Sequence, residues 1–140
     1  MTLLRSRDDA EHDEPALTLE SFLLDPDAMA VRLEAGDDAR ALIPAFDRLR
    51  LVEVVFPTFR DGRGYSAARI LRELGYAGEL RAVGDVLLDQ VVLLRRSGFD
   101  ALASKAPLDP AKVNEALSRF PFVYQPSVDR RPPAWQLRHG

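Results

Sequence analysis

A chain of 140 residues and 15.6 kDa, 46% hydrophobic and 29% charged with a mean hydropathy of −0.16, has room for about one soluble globular domain and can bury its own core. It contains no cysteine, which excludes disulfides, dithiol redox chemistry and thiolate-held metals; with His12 and His139 both in the terminal segments, no cofactor or resident metal is expected. The net charge of −3 hides an acidic start: residues 1–30 carry two arginines against eight acids, a balance of −6, leaving +3 for the remainder, too little for nucleic-acid binding.

Residues 1–15 are polar, acidic and without periodicity, and are expected to be a disordered segment outside the fold. No apolar run approaches the roughly 20 residues of a membrane helix and no secretory leader opens the chain, so a cytoplasmic address without membrane contact is expected. A single α/β domain should span residues 16–125. In it Thr18 can cap a short helical turn over Phe22–Leu24, closed by Asp25-Pro26-Asp27, and Met29–Leu33 reads as a short strand stopped at Gly36-Asp37. Residues Asp38–Leu42 look helical, with Pro44 ending or bending the run.

The run Leu51–Phe56 is the strongest strand, nearly continuous in apolar residues as in a strand buried on both faces. Helix Ser66–Leu74, strand Glu79–Val83, helix Val86–Arg96 with Asp85 as N-cap and Gly98 as C-cap, strand Phe99–Ala103 and a helix from Asp109-Pro110 to Arg119 follow. Phe122–Tyr124 reads as a last short strand, and 126–140 as an extended tail rich in proline and arginine. The alternation predicts an α/β fold with a mostly parallel sheet of about four strands built from βα units, either half-barrel-like or a small doubly wound sheet. An uncovered sheet edge would favour a homodimer.

In such folds ligands gather beyond the carboxyl ends of the strands. The loops there supply Arg60, Asp61, Gly62, Arg63, Gly64, Tyr65 and Ser66 after the first long strand, Asp85 with Asp89 and Gln90 after the second, and Lys105 after the third. Arginines, a lysine and helix N-termini on one edge favour a small anion. The bland account competes at every point: Asp61-Gly62 is an ordinary turn, Asp85 an ordinary cap, and loop arginines commonly face water. Gly62-Arg63-Gly64-Tyr65-Ser66-Ala67 fits G-x-G-x-x-A, the alternative being a nucleotide- or flavin-phosphate-binding oxidoreductase, but Pro57–Asp61 separate its first glycine from the strand. Asp61, Asp85 and Asp89 have the oxygens for a hard cation, yet capping by Asp85 and pairing of Asp89 with Arg63 account for them, so no metal site is assigned. There is no serine elbow and no histidine to activate a nucleophile; an acid or base would have to be Asp61, Asp85, Tyr65 or Lys105 with a shifted pKa.

The block Phe56–Ser66, then Gly78–Leu87, Asp89-Gln90, Ser97–Ala101 and Tyr124-Gln125, resembles a bacterial family known as domain of unknown function 934. The family's characteristic positions retained here are Asp61, Gly62, Arg63, Gly64, Tyr65, Ser66, Arg69, Arg81, Gly84, Asp85, Asp89 and Gln90. The resemblance implies an accessory role in assimilatory sulfite reduction, with sulfite reductase as partner, whether or not the chain has a reaction of its own.

Overall fold

The computed structural model describes residues 2–7, 12, 14–58, 60–119 and 136–138. Its strands are β1 (Thr2–Arg5), β2 (Leu17–Thr18), β3 (Ala30–Leu33), β4 (Leu51–Phe56), β5 (Glu79–Gly84), β6 (Ala101–Ser104) and β7 (Gln136–Arg138). Between them run α1 (Leu19–Leu24), α2 (Arg63–Glu73), α3 (Val91–Ser97) and α4 (Pro110–Arg119), with 3-10 helices at Ala39–Ala45 and Leu88–Gln90. All seven strands form one sheet in the order β2-β3-β4-β5-β6-β1-β7. The five strands from β2 to β6 are parallel and follow chain order, whereas β1 runs antiparallel to both β6 and β7. This is the order of successive βα units, without the reversal that creates a switch-point crevice in a doubly wound sheet.

Local chemistry explains most boundaries. Thr18 Oγ1 accepts the Ser21 N–H at 3.2 Å, and Asp109 Oδ1 accepts the Ala111 N–H at 3.0 Å with Pro110 in the first helical position. Gly98, at φ 113°, takes the left-handed turn that ends α3. Pro44 lies inside the first 3-10 helix, so the chain tightens there rather than stopping.

One face of the sheet carries Val31, Leu33, Val52, Val54, Phe56, Leu80, Ala82 and Leu102, joined in the core by Ala68 and Leu71 of α2, Val91 and Leu94 of α3 and Val113 of α4. Phe56 sits at its centre, its ring 5.2 Å from that of Tyr65 and 5.8 Å from that of Phe99, both edge-on. The other strand phase mixes small and apolar residues, Ala30, Leu51 and Ala101 among them, with a chain of charged ones. Glu79 Oε1 accepts from Arg5 Nε at 2.9 Å and Nη2 at 2.6 Å, and Glu79 Oε2 from Arg81 Nε at 3.1 Å and Nη2 at 2.7 Å. Glu53 continues the chain of charges to Arg81 at 3.5 Å and to Arg32 at 3.3 Å, across strands that pair Arg32 with Glu53 and Glu53 with Arg81.

Several expectations are corrected. The sheet has seven strands rather than about four, because short pieces outside the βα repeat join both edges. The segment 1–15 is not wholly outside the fold: Thr2–Arg5 pairs with β6, and buried Arg5 finds its carboxylate in Glu79, seventy-four residues away. The expected helix Val86–Arg96 is a 3-10 turn followed by a shorter helix, and Asp85 lies ahead of both rather than capping either. The expected helix at Ser66 begins earlier, at Arg63. The strand expected at Phe122–Tyr124 lies outside the described residues, as does most of the tail, of which Gln136–Arg138 is extended as β7. No helix among the described residues is long and apolar enough to cross a membrane.

Candidate functional site

Parallel strands deliver their following loops to one edge. Arg60–Ser66 follow β4, Asp85 follows β5 and Lys105 follows β6, so all the candidate residues occupy the carboxyl rim of the sheet. Two backbone bonds tie that rim together, from the Asp85 N–H to the Phe56 carbonyl and from the Lys105 N–H to the Gly84 carbonyl, each 3.0 Å. Gly84 makes the approach possible, since at φ 116° a Cβ there would stand 2.6 Å from the Phe56 carbonyl oxygen.

The candidates separate into two groups. In the first, Asp61 organises the start of α2: Oδ1 accepts the Arg63 backbone N–H and Nε, both at 3.0 Å, and Oδ2 accepts Nη2 at 2.7 Å. The hydrogen bonds from Arg63 hold the Asp61 carboxyl at about 2, below its ordinary 3.8, and Asp61 in turn raises the arginine. Asp61 is therefore ionised throughout the physiological range and suited to positioning Arg63, not to proton transfer at neutral pH. Pairing with Asp61 replaces the expected Asp89–Arg63 pair, because a carboxylate two residues back spans the Nε and Nη2 edge of the guanidinium. The arginine is open to water, with 64% of its side chain exposed, whereas that of Asp61 is 13% exposed.

In the second group, Gln90 bridges α2 to the next βα loop. Its Nε2 donates to the Tyr65 hydroxyl at 3.0 Å, and its Oε1 accepts the Leu87 N–H at 2.9 Å. Burial raises the Tyr65 phenol, with the Gln90 contact opposing, so the hydroxyl remains protonated at neutral pH. Asp89, Lys105 and Arg60 are exposed and Asp85 is partly buried. Among the described residues no three potential metal ligands cluster.

A cavity of about 320 Å³ opens beside the first group, between the start of α2 and the loop 34–40 after β3. Arg63, Gly64 and Ser66 line it; the other eight candidates do not. Its floor is apolar, from Leu33, Val54, Val55, Ala67 and Ile70, and the loop adds Glu34, Asp37, Asp38 and Arg40 at the rim. Size and lining match a small-molecule pocket. Asp61 occupies the Nε and Nη2 edge of Arg63, whereas Nη1 has no acceptor among the described residues and lies 3.7 Å from where a Gly36 Cβ would be. The glycines of the G-x-G-x-x-A string serve the fold: a Cβ on Gly64 would fall 2.5 Å from the Phe56 ring, and Gly62 has nothing within 4 Å of its missing Cβ.

The loop 34–40 escaped the sequence reading, which searched behind the other strands and took Gly36-Asp37 only as a stop signal. Applying the same rule to Ala30–Leu33 would have found it. Also missed was the amino-terminal knot in which Asp100 accepts from Arg7 at 2.7 Å, Arg72 at 3.1 Å and the Leu80 N–H at 2.9 Å. Burial pushes the Asp100 carboxyl up and the two arginines pull it down. Charged residues at strand positions, such as Glu53, Glu79 and Arg81, were the available signal for the neighbouring ladder.

No curated protein and no solved structure matches the chain. A family described as bacterial protein of unknown function (DUF934) matches residues 30–135, from β3 through α4 and beyond, and on that match the chain belongs to this family.

Proposed function

We propose that the protein is an accessory factor of assimilatory sulfite reduction, binding the reductase or one of its anionic ligands at the rim around Arg63. The observation that carries the binding half of this reading is the cavity at the carboxyl ends of β3 and β4, into which the start of α2 brings an arginine oriented by Asp61. The pathway half comes from the family resemblance in Phe56–Ser66 and Gly78–Leu87. A charge-assisted contact from Nη1 suits an oxyanion or a carboxylate.

Calorimetric titration of purified assimilatory sulfite reductase, and separately of sulfite and sulfate, tests the reading. Binding of at least one of them is expected, weakened by about tenfold or more in Arg63→Ala, as the loss of a charged hydrogen bond requires. No binding of any of the three, or equal binding by the variant, would overturn it.

A further inference from the structure

The cavity beside Arg63 has walls of opposite charge. On the α2 side stand Arg63, with Nη1 lacking an acceptor among the described residues, and the Ser66 hydroxyl. On the loop side stand three carboxylates and Arg40. Two of those carboxylates shape the loop, Asp37 Oδ2 accepting the Glu34 N–H at 2.8 Å and Asp38 Oδ1 the Arg40 N–H at 3.0 Å. Each keeps its second oxygen without a partner among the described residues, as Glu34 keeps both of its own. The walls converge where the Gly36 turn, at φ 93°, comes against Arg63.

A bare anion on Arg63 would face three carboxylates, and a bare amine among the carboxylates would face Arg63. Only a guest with both charges meets complementary potential on each wall. The apolar floor requires the rest of that guest to be apolar, and the volume requires it to be small. We infer that this cavity selects a small zwitterion, an oxyanion and a protonated amine on a compact apolar body, as in an aliphatic α-amino acid. The inference rests on the reading that Arg63 holds a negatively charged group and narrows it: inside the cavity that group is the carboxylate of a zwitterion, and bare sulfite or sulfate binds there more weakly than the amino acid.

The test titrates the full chain with L-leucine, N-acetyl-L-leucine, which lacks the ammonium, and L-leucinamide, which lacks the carboxylate, following amide shifts of Gly36, Arg63 and Ser66. Saturable binding of L-leucine is expected, with each blocked analogue weaker by about tenfold or more. Glu34→Gln, whose carboxylate makes no hydrogen bond or ion pair with the described residues, should weaken L-leucine several-fold while N-acetyl-L-leucine binds as before or more tightly. Equal binding of L-leucine and its N-acetyl form overturns the inference while leaving the Arg63 anion reading intact. Failure of all three to bind also overturns it, and the reductase and sulfite titrations then decide the broader reading separately.

Discussion

At the amino-terminal ends of β5 and β6 the arginine–carboxylate contacts are sealed, with side-chain exposures of 1% for Arg5, 4% for Glu79 and 10% for Arg81. At the carboxyl rim the same chemistry joins Asp61 to an Arg63 that is mostly open to water, beside a cavity. Sealed charges depend on one another, because a charge that loses its partner in a low-dielectric interior cannot recover its hydration. The rim pair contributes little to stability, so its arginine can take a second acceptor at small cost. The sealed charges and the open cavity thus lie at opposite ends of one sheet.

The largest expected effect tests the sealed end. Glu79→Gln removes the buried carboxylate that accepts four hydrogen bonds from Arg5 and Arg81 and should cost about 3–5 kcal/mol in denaturant unfolding. Asp61→Asn at the rim should shift the denaturant midpoint far less than Glu79→Gln does. Similar losses in the two variants would erase the contrast between the ends.

A middle-sized effect separates the two glycines of the G-x-G string. Gly64→Ala drives a methyl into the Phe56 ring and should cost about 1–3 kcal/mol. Gly62→Ala, at φ −80° with open space around it, should be neutral or stabilise by up to about 1 kcal/mol. Loss of anion binding in Gly62→Ala with the fold intact would show that a ligand approaches this backbone closely and would revive the nucleotide-phosphate alternative.

The smallest effect is a titration. In the folded protein the Asp61 carboxyl should titrate at about 2 by NMR, and in Arg63→Ala it should return towards 3.8. The folded value is depressed, so the stabilisation from this pair is fully present above 3.8 and is lost as pH falls through about 2. An Asp61 midpoint unchanged by Arg63→Ala would mean that the pair does not persist in solution, and Arg63 would lose the contact that orients it.

Much of this arrangement was legible in the chain itself. The apolar run Leu51–Phe56, the Asp109-Pro110 start and the Gly98 stop each express a local constraint on their own backbone, and each element was found there. Less legible was Thr2–Arg5, four residues with an arginine at a buried position, which become a strand only because Glu79 neutralises Arg5 and β6 offers an edge. The Val86–Arg96 pattern starts too early, because the helical turn begins only after Leu87, whose N–H the Gln90 side chain accepts.

Residue order alone determined that strands alternate with helices, that their carboxyl ends share a rim, and that Arg60–Ser66, Asp85 and Lys105 lie on it, since right-handed connection of βα units leaves no other placement. Tertiary structure decided which of these side chains meet: Arg63 with Asp61 rather than Asp89, Tyr65 with Gln90, and loop 34–40 as the opposite wall of the cavity. Periodicity reports which side of its own element a residue occupies, whereas the element it faces is set by how the whole sheet closes around its core.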